Sequence, residues 1–97
     1  MFSVNETSER VTFVFTGRQD SKVCAEIMEP VRQKTTETEK AIVFDLQGVD
    51  YVSSAFLRIC LQTAKTVGVE RFSVVNVTPP IKVVFKLSGF DQMLKIS

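Results

Sequence analysis

The sequence contains no histidine, and that absence removes several kinds of chemistry at once. A Ser-His-Asp or Cys-His relay has no base, and the commonest metal ligand is missing. No Gly-rich phosphate loop, CxxC pair or acidic run with calcium spacing appears either. Together these absences argue against an enzyme and leave no catalytic residue, metal ligand or cofactor to name. Cysteine is scarce too: Cys24 and Cys60 stand far apart, each with apolar neighbours at helical spacing. They read as two reduced core thiols rather than a staple, so an oxidising compartment is not implied. No uncharged apolar run approaches the roughly 18 residues a membrane span needs. The opening residues lack a basic region followed by a long apolar stretch, so the protein is expected to be cytoplasmic. Neither sign of charge dominates, with twelve basic and eleven acidic residues giving a net +1. These charges are mixed along the chain, so neither nucleic acid nor an anionic membrane is favoured as a partner. The expected partner is another protein.

What is present suits one small core. Of the 97 residues, 44% are hydrophobic, enough for one domain over residues 1–97 with a modest stability margin. Phe2-Ser3-Val4 and Val11-Thr12-Phe13-Val14-Phe15 read as antiparallel strands joined by the polar stretch from Asn5 to Arg10. Gly17 ends the second strand, and Asp20 or Ser21 can cap a following helix. Val23, Cys24, Ile27, Met28 and Val31 give that helix an apolar stripe. Pro30 lies within it, so the helix either kinks there or restarts with Pro30 in its first turn. Thr35 to Lys40 reads as the exit loop.

Ala41-Ile42-Val43-Phe44 is apolar without alternation, the pattern of a central strand covered on both faces. From Ser53 the period becomes helical, with Leu57, Cys60, Leu61 and Ala64 on one face and Gly68 at the stop. Phe72 to Val77 forms a further strand. Thr78-Pro79-Pro80 starts a helix buried through Ile81, Val84 and Phe85 and stopped by Gly89. Met93 to Ile96 can form a short last strand. Strands alternating with helices imply parallel pairing through right-handed crossovers. The expected fold is therefore α/β, a mixed and mostly parallel sheet with an antiparallel N-terminal strand and about three helices.

The most informative stretch runs from Val43 to Leu57, where a buried strand and a short loop lead into Ser53-Ser54 at a helix start. It resembles the signature of the STAS domain of bacterial anti-sigma factor antagonists: Asp-Leu, a Val or Leu four residues on, then Asp-Ser-Ser/Thr/Ala-Gly-Leu. The match departs at Ser53, where the acid usually stands, and at Phe56, where glycine is usual. Weaker likenesses are the Gly17 to Asp20 corner and the run from Asn76-Val77-Thr78-Pro79-Pro80 to Leu87-Ser88-Gly89-Phe90. Many members carry one more helix after the last strand than this chain has.

The resemblance implies that Ser54 accepts a phosphate, and that Asp20, Ser53, Ser54, Phe56 and Arg58 form a partner-binding surface. It implies as partner an anti-sigma factor of the serine protein kinase type, freed from its sigma factor by the unmodified protein and released on phosphorylation. The residues alone support a blander account, with Ser53 as N-cap and Ser54 as the first helical residue. The two are compatible, since serine caps a helix as well as aspartate does. Phe56 either folds down onto the sheet or stands out as an aromatic anchor. Arg58 is either a solvated helix residue or a contact to a kinase carboxylate or the phosphate. Asp45 orders loop amides and Asp50 is a turn residue rather than its catalytic mate. A rival function is a STAS subunit that is never phosphorylated and supports a larger assembly, in lipid transport or signalling. The sequence leaves the oligomeric state open.

Overall fold

The computed structural model describes Phe2–Ser97. Two antiparallel strands, β1 (Phe2–Glu6) and β2 (Arg10–Gln19), open the chain. They are followed by helix α1 (Ser21–Thr36), strand β3 (Ala41–Val52) and helix α2 (Ser54–Val67). Strand β4 (Phe72–Val75), helix α3 (Pro79–Leu87) and the short strand β5 (Lys95–Ile96) complete it. The five strands lie side by side in chain order, with β2 to β5 all parallel. Each crossover advances one strand in the same direction, and right-handed connections then put all three helices on one face.

That face holds the core. Val11, Phe13 and Phe15 of β2, Ile42, Phe44 and Leu46 of β3 and Val74 of β4 are fully buried. Their partners one residue along, Thr12, Val14, Val43, Asp45, Ser73 and Val75, are only half-buried. The expectation that β3 is covered on both faces is thus corrected. It is central, but the second face is open, and the unbroken apolar run reflects Val43 standing on a partly solvated side.

Phenylalanine rings knit the buried face together. Phe15 meets Phe44 edge-on with centroids 4.9 Å apart, Phe44 meets Phe72 at 4.8 Å and 90°, and Phe56 of α2 meets Phe15 at 5.2 Å and 87°. Edge-to-face pairs of this kind contribute about 0.5–1.5 kcal/mol each beyond the area they bury.

Several boundaries differ from the sequence reading. Strand β2 does not stop at Gly17 but passes through it at φ 78°, with register shifts against β3 on either side. A positive φ suits glycine, and the shift turns Gln19 into the protein, where it is fully buried. Helix α1 neither breaks nor restarts at Pro30 and continues to Thr36, with Thr35 buried in its last turn. Met28, placed in the apolar stripe by spacing, is 43% exposed. β4 ends at Val75, because Asn76 takes a left-handed conformation at φ 56°, which asparagine tolerates better than most residues. Its Nδ2 donates to Asp45 Oδ1 at 3.1 Å.

Candidate functional site

Helices α1 and α2 both begin at the end of the sheet where β2 and β3 finish, and their caps are joined. Asp20 caps α1, its Oδ1 accepting from the Val23 amide at 3.0 Å. Ser53 caps α2 more loosely, its Oγ accepting from the Phe56 amide at 3.4 Å. The tighter bond is the one Ser53 Oγ donates to the Gln19 carbonyl at 2.9 Å. The Ser53 amide donates to that same carbonyl at 3.0 Å. Cys24 Sγ lies 3.7 Å from the Gln19 carbonyl and 3.8 Å from Ser53 Oγ. One backbone oxygen thus ties the start of α2 to the end of β2 and to the first turn of α1.

This arrangement separates the two serines. Ser53 is buried and its hydroxyl is committed, whereas Ser54, the first residue of α2, is exposed. Ser53 is therefore more than a substitute for an acidic cap, because a carboxylate could accept from Phe56 but has no proton for Gln19. Its placement on a partner-binding surface is corrected to a bond inside the protein.

Phe56 resolves the other open alternative. It is 0% exposed and packs against Phe15 and Phe44, so it folds down onto the sheet and is not an interface anchor. The buried stripe of α2 is Phe56, Ile59, Cys60, Thr63, Ala64 and Val67. Leu57 and Leu61, read from sequence as its centre, are only half-buried. The difference is one residue of helical phase, about 100°.

Around exposed Ser54 the surface is small and mixed. A groove of about 180 Å³ between α1 and α2 is lined by Ser21, Cys24, Met28, Ala55, Arg58 and Ile59, among others. Arg58 is exposed at its rim. Beside the caps, the Arg18 guanidinium lies 4.1 Å over the Tyr51 ring and 4.0 Å from the Asp20 carboxylate. The ion pair is surface-exposed and contributes little by itself. Asp20 is thus half-buried as a cap with one oxygen turned to Arg18. Asp45 accepts from the Gln47 amide at 3.0 Å, the loop-ordering role expected of it, and Asp50 is exposed.

Gln19, Arg18 and Tyr51 were not singled out from sequence. A glutamine at the end of an apolar strand carries no signal of burial, and its bond to Ser53 spans 34 residues. Burial pushes the thiols of Cys24 and Cys60 above their ordinary range, most strongly at enclosed Cys60. Among the described residues no group of three or more His, Cys, Asp or Glu could hold a metal ion, and no helix is long and apolar enough to cross a membrane. A larger recess of about 860 Å³ lies at the opposite end of the sheet, around Glu6, Lys34 and Lys40.

The sequence matches the family described as "Mlab, STAS domain" over residues 2–95. No curated protein matches it. Among solved structures, the unphosphorylated anti-sigma factor antagonist SpoIIAA superposes with a TM-score of 0.84 at 17% identity, covering 100% of this chain and 88% of that one. The phosphorylated form of SpoIIAA, a Bacillus cell fate determinant, gives 0.76 at 17% identity, covering 100% and 91%. An anti-sigma factor antagonist from Mycobacterium paratuberculosis gives 0.88 at 21% identity, covering 99% and 83%. At these identities the likeness is one of fold.

Proposed function

Because the chain belongs to the STAS domain family, we propose that it is an anti-sigma factor antagonist of the bacterial cytoplasm, a kinase substrate rather than a catalyst. In its unmodified form it binds an anti-sigma factor of the serine kinase type and frees the sigma factor; phosphorylated on Ser54, it lets go. The observation that carries this reading is the division of labour between the serines. Ser53 is buried and hydrogen-bonded, while Ser54, the first residue of α2, is exposed. A phosphate there adds about −1.5 to −2 charges at neutral pH. The helix N-terminus favours an anion by roughly 0.3–2 kcal/mol, so the modification leaves the domain folded and acts at its surface. Losing about 3 kcal/mol of binding to a charge mismatch changes partner occupancy by a factor of about a hundred. Asp20, the cap of α1, and Arg58, at the rim of the α1–α2 groove, belong to the proposed contact surface.

The test is incubation with ATP and the cognate serine kinase, mass mapping of wild type and Ser54→Ala, and a binding assay on the modified product. Phosphate on Ser54 and loss of anti-sigma factor binding are expected. Full binding by stoichiometrically phosphorylated protein overturns the switch.

A second reading is favoured by Ser53 itself, which leaves the phosphoacceptor without an acidic neighbour. It makes the chain an unphosphorylated STAS subunit of a larger assembly, in lipid transport or signalling. An unmodified Ser54 after kinase treatment, with partner binding indifferent to Ser54→Ala, selects this reading.

A further inference from the structure

The geometry points to Arg58 as the intramolecular receptor for a phosphate on Ser54, drawn off the α1–α2 groove when that phosphate arrives. This inference rests on the reading that Ser54 is modified. Ser54 and Arg58 are four residues apart in one continuous helix, which places their Cβ atoms about 5–6 Å apart on a shared face. Helical side chains lean towards the N-terminus, so the guanidinium reaches back over the turn that carries Ser54.

Among the described residues no carboxylate is paired with that cation before modification. Helix α2, SAFLRICLQTAKTV, contains no acidic residue, so Arg58 has no carboxylate three or four positions away on its own helix. The residues that line the groove across from it, Ser21, Cys24, Ala25 and Met28, are uncharged. Arg58 makes no ion pair among the described residues, while Arg18 is already drawn towards Asp20 and Arg32 towards Glu29. The groove is therefore an apolar recess with a single positive charge at its rim. That charge suits a carboxylate flanking an apolar side chain of a bound protein.

Phosphorylation forms the Ser54 Oγ–P bond, breaks the γ-phosphorus bond to the bridging oxygen of a nucleoside triphosphate, and releases the diphosphate and the hydroxyl proton. The new dianion sits one turn from Arg58 and accepts its N–H groups, a charge-assisted bond made within the helix. An arginine so occupied is withdrawn from the carboxylate of a partner. The same modification both adds negative charge and removes the positive one.

The test installs phosphoserine at position 54 during translation and follows the second phosphate ionisation by ³¹P NMR. Arg58→Gln is expected to raise that pKa by about half a unit, Arg58→Lys to recover part of the difference, and Arg32→Gln, three turns along α1, to leave it unchanged. Superimposable titrations with Arg58 and Arg58→Gln overturn the inference, as does an equal shift from Arg32→Gln. No kinase is used, so this result is independent of whether a kinase modifies Ser54.

Discussion

Ser53 is the residue on which the site is hung. Its hydroxyl donates to the Gln19 carbonyl at 2.9 Å and its amide to the same oxygen, so one side chain holds the start of α2 against the end of β2. Ser53→Ala removes a cap and a buried hydrogen bond together, and is expected to lower the unfolding free energy by about 1–2 kcal/mol in urea titration. Ser53→Asp, which restores the acid usual in the signature, is expected not to recover that loss. A carboxylate has no proton for Gln19 and faces a carbonyl oxygen at close range. Phe56→Gly tests the second departure from the signature. It deletes a ring that is 0% exposed and puts glycine inside a helix, for an expected loss of about 4 kcal/mol or more. Equal stability of wild type and this variant contradicts the packing described above. The position of Ser54 as the first residue of α2, after the Ser53 cap, was legible in the sequence. The burial of Phe56 was not, because the stripe of α2 was phased from Leu57 and a shift of one residue carries position 56 from flank to centre. The Ser53–Gln19 bond was illegible for another reason: contacts between residues far apart in sequence leave no periodicity to read.

At the scale of elements, the sequence reading recovered the five strands and three α-helices in order, while several of their ends differ. Gly17 was read as a stop, yet the pairing of β2 with β3 continues through a bulge to Gln19. Tertiary pairing overrode a local breaker. The attachment of β1 is also invisible to local pattern. Glu6, its last residue, bonds Lys34 at the end of α1 at 2.8 Å and Lys40 before β3 at 2.7 Å. Hydrogen bonds from Lys34 and then Lys40 hold the Glu6 carboxyl down at about 2, against its ordinary 4.5. A carboxylate depressed in the folded state stabilises fully above its unfolded pKa and loses that contribution as pH falls through the folded one. The contribution of this cluster is therefore complete above about pH 4.5 and disappears towards pH 2. Thermal melts of wild type and Glu6→Gln are expected to differ near pH 6 and to converge towards pH 2. A difference that does not change with pH assigns the effect to packing instead.

The whole molecule is a sheet with one face covered by helices and one left half-open, and its cysteines report on the covered side. Cys60 is fully buried between α2 and the sheet, and burial drives its thiol well above the ordinary range. Its labelling by a disulfide reagent at pH 8 is expected to be at least about a thousandfold slower in the native protein than in urea, tracking global unfolding. Fast native labelling in a Cys24→Ala background shows that α2 opens separately from the rest. The open face has no counterpart in the sequence pattern, because a strand flanked on one side by half-exposed valines reads the same as one buried on both. The strand order has a consequence of its own. Each strand lies beside the one made just before it, so every pairing can close as soon as its segment is synthesised, without waiting for a later strand to be threaded between two earlier ones. A chain laid down in this order assembles progressively from its N-terminus. The edge that waits for a partner at each stage of synthesis is the edge about to receive one.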